Sequence, residues 1–371
     1  MRKIILASTI ILIVLIGFLG IYLFSWQREN PTGKGRIEVT DALGRTVEIA
    51  LPVKRVIITG QSAWPIITVA YMFSNAKSLL YGLGKDINVP LFQLVDPNIE
   101  SKIDLDIYGT GPNLEAVASK NPDVVILKST MKSNLGDPLE ELGFKVVYVD
   151  FESLDSYMRD VLVLGKIFGD EIKAQEIARH YNKTYSLILS RTYKMYEKPK
   201  VLFLYYSTKG GTVSFQTPGA GWLQTFMIEV AGGCPVSGNL TGKGWNTISF
   251  EQIASWNPEV IFLVTYTDSP SATDVKNMLF EDPNWRWIKA VAQKRVYAVP
   301  HDCNNVMALG SWDTPGSRWI LGLQWMALKI HPSIFSDVDI TEEAKKFYME
   351  MYGLNEDEAA RVINGIKGDL T

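Results

Sequence analysis

The sequence predicts an α/β protein: two Rossmann-like α/β lobes joined by one long helix, with an N-terminal transmembrane anchor. Three observations carry the expectation. Strand-like runs such as Arg55–Thr59, Val124–Leu127 and Val201–Tyr206 alternate with helical stretches in both halves. Residues 153–196, between the halves, read as helix almost throughout. A helix–turn–strand unit occurs twice, once in each half.

The N-terminus is the most legible segment. Ile4 to Trp26 is apolar apart from Ser and Thr, and Arg2 and Lys3 precede it. At ~1.5 Å per residue such a helix spans a ~30 Å hydrocarbon layer. The positive charges hold the N-terminus inside and the body outside. A long signal cut near Ser25 is the alternative, and it also places the body outside the cytoplasm. Gln27 to Gly35, with Pro31 and Gly33, reads as a tether.

The first lobe, 37–152, opens with alternation at Ile37–Val39 and Val47–Ile49 around Asp41-Ala-Leu-Gly44-Arg45, a β-hairpin pattern. Arg55–Thr59 reads as a strand that ends in Gly60-Gln61-Ser62-Ala63-Trp64-Pro65, with Pro65 opening a helix. Further strands fall at Leu79–Leu83, Val124–Leu127 and Val146–Val149, with helices at Leu114–Ser119 and Asp137–Leu142. Within the connector, 153–197, Asp170 to Tyr196 would form one helix of ~40 Å, a strut between lobes. The second lobe, 198–332, has strands at Val201–Tyr206, Val260–Tyr266 and Arg295–Val299. Asp313 or Thr314 would cap a helix opened by Pro315 and running to Ile330. A helical extension, 333–371, ends in a helix that Asn355-Glu-Asp-Glu358 caps.

The repeat lays Glu115-Ala-Val-Ala118-Ser119-Lys-Asn121-Pro122-Asp123-Val124 through Leu127 on Glu251-Gln-Ile-Ala254-Ser255-Trp-Asn257-Pro258-Glu259-Val260 through Leu263. The glutamate that opens each copy has no packing reason to recur.

Composition narrows the function. The chain has 371 residues, 47% hydrophobic and 21% charged, with room for two cores. A net charge of −3 without Lys/Arg runs argues against a nucleic-acid surface. Cys234 and Cys303 exclude a disulfide-rich scaffold or a four-cysteine zinc site; one bridge between them stays open, and two free thiols are the expectation. No Gly-x-Ser-x-Gly is present, and Gly82-x-Gly84, Gly109-x-Gly111 and Gly219-x-Gly221 lack the third glycine of a dinucleotide fingerprint, so no cofactor is expected. His180, His301 and His331 are too scattered for a zinc-importer type site. Asn182-Lys-Thr184 and Asn239-Leu-Thr241 have the form of glycan acceptors.

Asp41-x-x-Gly44-Arg45-x-Val47 with Pro52 and Lys54-Arg55-Val56 resembles the entry to the mature domain of binding proteins for iron–siderophores, haem and cobalamin. Asn113-Leu-Glu115 through Val124, Ala231-Gly232-Gly233, Glu251 through Glu259, and Trp285 through Tyr297 follow in the same family order, so the likeness covers residues 38–330. The resemblance implies two lobes on one long helix, with ligand in the cleft between them. It implies an ABC permease dimer with its ATPase as partner, and it matches Glu115 and Glu251 to the glutamates that dock on permease arginines. No lipidation cysteine is present, which suggests an archaeal-style anchor. The tail around Phe347-Tyr348 and Met351-Tyr352-Gly353 is similar to a subgroup that includes molybdate and tungstate binders.

Ligands in open α/β sheets meet the loops at strand carboxyl ends. The candidates there are Gln61, Ser62 and Trp64 in the first lobe, and Tyr206, Trp222, Trp245, Tyr266, His301 and Trp312 in the second. Arg318, in the first turn of its helix, could pair with an anionic ligand. Trp285 and Trp287 read as core on a helix, His180 as solvated and His331 as a cap or turn. The expected function is capture of an iron(III) chelate, siderophore-like, haem or cobalamin. A molybdate or tungstate site is the alternative, and a metal-chelate enzyme using His301, Asp302 and Cys303 is a lesser one.

Overall fold

The structure, a computed structural model, describes residues 35–84, 89–105, 114–242, 244–303 and 307–371. The expected anchor over 1–26, nearly all of the tether and Asn113 lie outside the described residues. Among the described residues no helix is long and apolar enough to cross a membrane.

Strands β1 (Arg36–Thr40) and β2 (Thr46–Ala50) form the expected antiparallel hairpin. Its turn motif is a clamp. The buried Asp41 carboxylate accepts from the backbone N–H of Leu43 at 3.0 Å and from the Arg45 guanidinium at 2.8 Å. Arg45 reaches on to Glu140 at 2.7 Å and donates to the Val146 carbonyl at 3.0 Å, which fastens the hairpin to the lobe.

The lobe continues through β3 (Val56–Ile58), α1 (Trp64–Ala70), β4 (Leu80–Gly84), α2 (Pro90–Val95), β5 (Ile103–Leu105), α3 (Leu114–Ser119), β6 (Val124–Lys128), α4 (Asp137–Glu141) and β7 (Val146–Val149). The five later strands pair in parallel in the order β5-β4-β3-β6-β7. Strand order reverses between β3 and β6, so the loops leaving them flank the crevice where such sheets receive ligands.

Two helices, α5 (Leu154–Phe168) and α6 (Glu171–Thr192), connect the lobes. Helix α6 has 22 residues, about 33 Å at ~1.5 Å per residue. It is shorter than the expected strut because the chain leaves the helix after Tyr193. Gly165 lets the pair fold tightly: a Cβ there would lie 2.3 Å from the Ala174 methyl.

The second lobe runs β8 (Lys200–Ser207), β9 (Ser214–Thr217), α7 (Leu223–Val230), β10 (Cys234–Pro235), β11 (Asn246–Ile248), α8 (Phe250–Trp256), β12 (Val260–Val264), α9 (Ala272–Glu281), β13 (Val296–Ala298) and α10 (Trp319–Ile330). Its sheet is ordered β11-β9-β8-β12-β13, with β10 beside β8. Strands β8, β12 and β13 are parallel, whereas β9 and β11 are antiparallel additions that the sequence pattern did not indicate.

The two repeat copies are equivalent in three dimensions. Each is a short helix (α3, α8), an asparagine at positive φ (Asn121 44°, Asn257 47°) and a buried strand (β6, β12). Asp123 accepts from the Arg55 N–H at 2.8 Å and Glu259 from the Lys200 N–H at 2.9 Å, so both acids pin the start of the neighbouring strand.

Helices α11 (Ile340–Tyr352) and α12 (Glu356–Asn364) fold back over the junction. Tyr352 donates to the Thr68 carbonyl at 3.0 Å, and the Ser317 N–H donates to the Thr68 hydroxyl at 3.0 Å. The Tyr181 hydroxyl of α6 donates to the Ser317 carbonyl, and the Tyr352 and Ser317 hydroxyls also meet. First lobe, strut, second lobe and extension therefore join at one serine. The buried apolar cluster around this junction draws on all four parts.

Several expectations need correction. Residues 311–318 form turns rather than a first helical turn, and α10 starts only at Trp319, so Asp313 and Thr314 cap nothing. Trp285 is buried but lies in a turn, and Trp287 beside it is 74% exposed. His180 is half-buried between the rings of Tyr181 and Phe347 rather than solvated. His331 does cap a helix end, and Cys234 and Cys303 are not joined in a disulfide, the first being exposed and the second buried.

Candidate functional site

The site is assembled from the second lobe outward. On a strand, successive side chains point to opposite faces. Tyr205 faces the core shared with the strut, while Tyr206 packs against Phe215 on the other face. The expected Tyr206 thus faces away from Trp245 and Tyr266, and its neighbour Tyr205 joins them. Around Tyr205 stand Trp245 at 5.2 Å and Tyr266 at 5.1 Å between ring centroids, with Trp222 at 5.3 Å from Trp245. Trp222, Trp245 and Tyr266 all keep part of their surface exposed. Tyr266, two residues after β12, adopts φ 50°, and its ring lies against Tyr205 and Trp245.

One buried acid organises this aromatic set. Asp313 accepts from the Tyr266 hydroxyl at 2.5 Å, from the Gln224 amide at 3.1 Å and from the Ser311 hydroxyl. Burial pushes the Asp313 carboxyl above the usual carboxylate range, against the lowering effect of those three donors. Burial and the adjacent acid push Tyr266 well above the usual phenol range, so its hydroxyl stays a donor. Among the described residues no Lys or Arg pairs with Asp313 or stacks on these four rings. Sequence reasoning missed Tyr205, Gln224 and Asp313. Strand parity, had the register been known, would have found the first.

In the first lobe, Gln61 and Ser62 are exposed on the loop after β3, and Ser62 adopts φ 59°. Trp64 begins α1. Thr68 lies four residues on, on the same helix face one turn away. That residue abuts Gly316, where a Cβ would sit 2.7 Å from the Thr68 hydroxyl, and it accepts from Ser317. Segment 311–318 therefore carries Asp313 toward the aromatic set and Gly316–Ser317 toward the Trp64 face of α1. It links helix α1 of the first lobe to the aromatic set of the second.

Three other candidates are engaged elsewhere. Arg318 is fully buried, donating to Asp302 at 2.9 and 3.1 Å. Burial works against its charge, but Asp302 and the flanking Tyr352 and Tyr348 raise its pKa, so it stays protonated and already paired. His301 is bridged to both Ser311 and Lys367, and its Nδ1 meets the Cys303 carbonyl at 2.9 Å. Trp312 is fully buried in the junction core. The His301-Asp302-Cys303 cluster that an enzyme reading required is thus occupied by structural partners, and Tyr348 also donates to Asp302 at 2.7 Å. Among the described residues no group of His, Cys, Asp and Glu could hold a metal ion.

Glu115 and Glu251 lie in the first turns of α3 and α8, both exposed. Its own backbone N–H and the Ser249 hydroxyl hold the Glu251 carboxyl below its usual range.

Two α/β lobes fixed on a long helix, with Tyr205 of β8, Tyr266 after β12, Trp222 at the start of α7 and Trp245 just before β11 gathered into one aromatic set, form the two-lobed architecture of a solute-binding protein. The chain belongs to the periplasmic binding protein family, whose sequence model matches residues 91–303. It is the substrate-binding component of an ABC importer and not an enzyme. It is similar to the molybdate-binding protein MolA of Haemophilus influenzae, 22% identical over 272 residues, 67% of this chain and 73% of that protein. The high-affinity heme uptake system protein IsdE of Staphylococcus aureus is 26% identical over 187 residues, 50% of this chain, which span less than two thirds of that protein, 62%. A solved periplasmic solute-binding protein of Veillonella parvula shares the fold with a TM-score of 0.72 at 24% identity, covering 89% of this chain and 97% of its own.

Proposed function

We propose that this substrate-binding component captures a metal chelate with a flat apolar face, an iron(III) siderophore or haem or the cobalt chelate cobalamin, and delivers it to a permease dimer. The observation that carries this reading is the set of Tyr205, Trp222, Trp245 and Tyr266 around Asp313. The partly exposed Trp222, Trp245 and Tyr266 offer π faces for stacking, and the buried Asp313 holds Tyr266 in place behind them. Gln61, Ser62 and Trp64 would close on the ligand from the first lobe. Glu115 and Glu251 would dock the permease, and the apolar N-terminal segment would hold the protein at the membrane.

Molybdate or tungstate is the second reading, because the molybdate-binding relative aligns over more of this chain than the haem-uptake relative does. An oxyanion requires convergent donors and positive potential. The aromatic set supplies neither, and Arg318 is already paired, so the chelate reading is favoured.

Tryptophan fluorescence titration with ferric siderophores, haem, cobalamin, molybdate and tungstate tests this. Binding of a chelate that weakens in Trp245→Ala is the expected result. Binding of the oxyanions alone would overturn it.

A further inference from the structure

We infer that an apolar groove on the second lobe is part of the permease-docking surface and receives an apolar side chain from a basic segment of the permease. This rests on the docking role proposed for Glu251. The groove, about 400 Å3, is lined by Tyr206, Val213, Phe215, Met278, Leu279 and Trp285, with Glu281 and Asp282 at its edge. It lies on the face of the second sheet opposite Tyr205 and the ligand-binding rings.

Register joins the groove to the docking glutamate. Tyr206 pairs with Phe215 across β8 and β9, and Phe215 with Ile248 across β9 and β11, so the three form one lateral row. Ile248 leads directly into α8, where Phe250 rests on Trp285 at 5.1 Å and Glu251 follows. Phe250 thus ties the groove wall at Trp285 to the helix that carries Glu251. The antiparallel strands β9 and β11 that build it have no counterpart in the all-parallel sheet of the first lobe.

The groove's lining is not closed off. Val213 is 55% exposed and Met278 51%, and Trp287, just beyond Trp285, is 74% exposed beneath the Arg286 guanidinium. Open apolar side chains rimmed by polar groups mark interaction surfaces. Glu281 and Asp282 at the edge, with Glu251 beyond Phe250, disfavour an anionic lipid surface or an acidic partner and select a basic one. A permease that offers arginines to the docking glutamates has that chemistry.

The test uses the full chain and its cognate permease–ATPase complex in lipid nanodiscs. Val213→Asp with Met278→Asp should weaken docking by roughly tenfold or more, with melting temperature and ligand affinity unchanged. Met278→Leu should dock as wild type. Should the double variant melt early, Met278→Lys alone serves, since a cation would repel the basic segment. If groove variants dock normally while Glu115→Ala with Glu251→Ala does not, the groove has no docking role and the glutamates keep theirs. If neither set matters, both readings fall. Loss in the groove variants alone keeps the groove and removes the glutamates. Self-association of the chain, or binding to permease-free vesicles, that disappears in the groove variants would give the groove to a second copy or to lipid and overturn the inference.

Discussion

Burial depresses the pKa of His180, His301 and His331 below the usual imidazole value in three different settings. His301 meets the Cys303 carbonyl and His331 the Gly232 carbonyl, whereas Nε2 of His180 is enclosed without a partner. A histidine held neutral in the fold but free to protonate when unfolded makes the unfolded state bind more protons as pH falls. The stability is therefore complete above about pH 6.5, the unfolded value, and is lost as pH drops toward the folded values. Melting temperature should fall on acidification from neutrality. His180→Phe, which keeps the ring contacts with Tyr181 and Phe347, should flatten that slope. The difference curve between variant and wild type isolates His180 from Asp160 and Asp313, which burial raises and which act in the opposite sense. A slope unchanged by the variant would remove His180 from the account. At the same scale the sequence named Trp222, Trp245 and Tyr266 but chose Tyr206 over Tyr205. A one-residue ambiguity in a fully apolar run cannot be resolved by periodicity, because both faces of β8 are buried.

Elements were more legible. The strand runs, the hairpin and the final capping box appear where pattern placed them, because period and cap chemistry are local. The helix expected from Pro315 failed because Asp313 turns inward to Tyr266 and Gln224, a choice that depends on residues far along the chain. The interlobe helices depend on Gly165. An added methyl there meets Ala174, so Gly165→Ala should destabilise by about 1–3 kcal/mol through overpacking, read as a shift in denaturant midpoint. A neutral result would mean the α5–α6 pair can spread at no cost. The repeat makes a second prediction at this scale. Glu115→Ala with Glu251→Ala should leave melting and ligand affinity unchanged yet abolish uptake and stimulation of ATP hydrolysis. Lys at both positions should be worse, because a cation would face the permease arginines. Normal transport with earlier melting would reduce the pair to helix N-terminal acids that favour the local dipole.

For the whole molecule, the junction at Ser317 predicts little hinge motion. Thr68, Tyr181 and Tyr352 bring the first lobe, the strut and the extension onto one residue of the second lobe. Opening the lobes would break that hydrogen-bond set and hand its groups to water, at a net cost of roughly 0.5–1.5 kcal/mol for each bond lost. Solution scattering with and without bound chelate should give nearly the same radius of gyration. A large closure would mean that the junction parts. Tyr181→Phe, which leaves the Ser317 carbonyl short of a donor, should lower stability by about 1–2 kcal/mol.

By itself the sequence determined the alternation of strands and helices, the strut, the paired units headed by Glu115 and Glu251, and an aromatic supply near strand ends. These follow from periodicity, capping and repetition, which act over a few residues. Only the tertiary structure decided that Arg318 and His301 are already taken, that Tyr205 rather than Tyr206 joins Trp245, and that Asp313 orders the ring set. A buried polar group must be satisfied by whatever partner the fold brings within reach, and part of that partnership comes from distant segments: Gln224 donates to Asp313, Tyr348 donates to the Asp302 that pairs with Arg318, and the Lys367 backbone bridges that of His301.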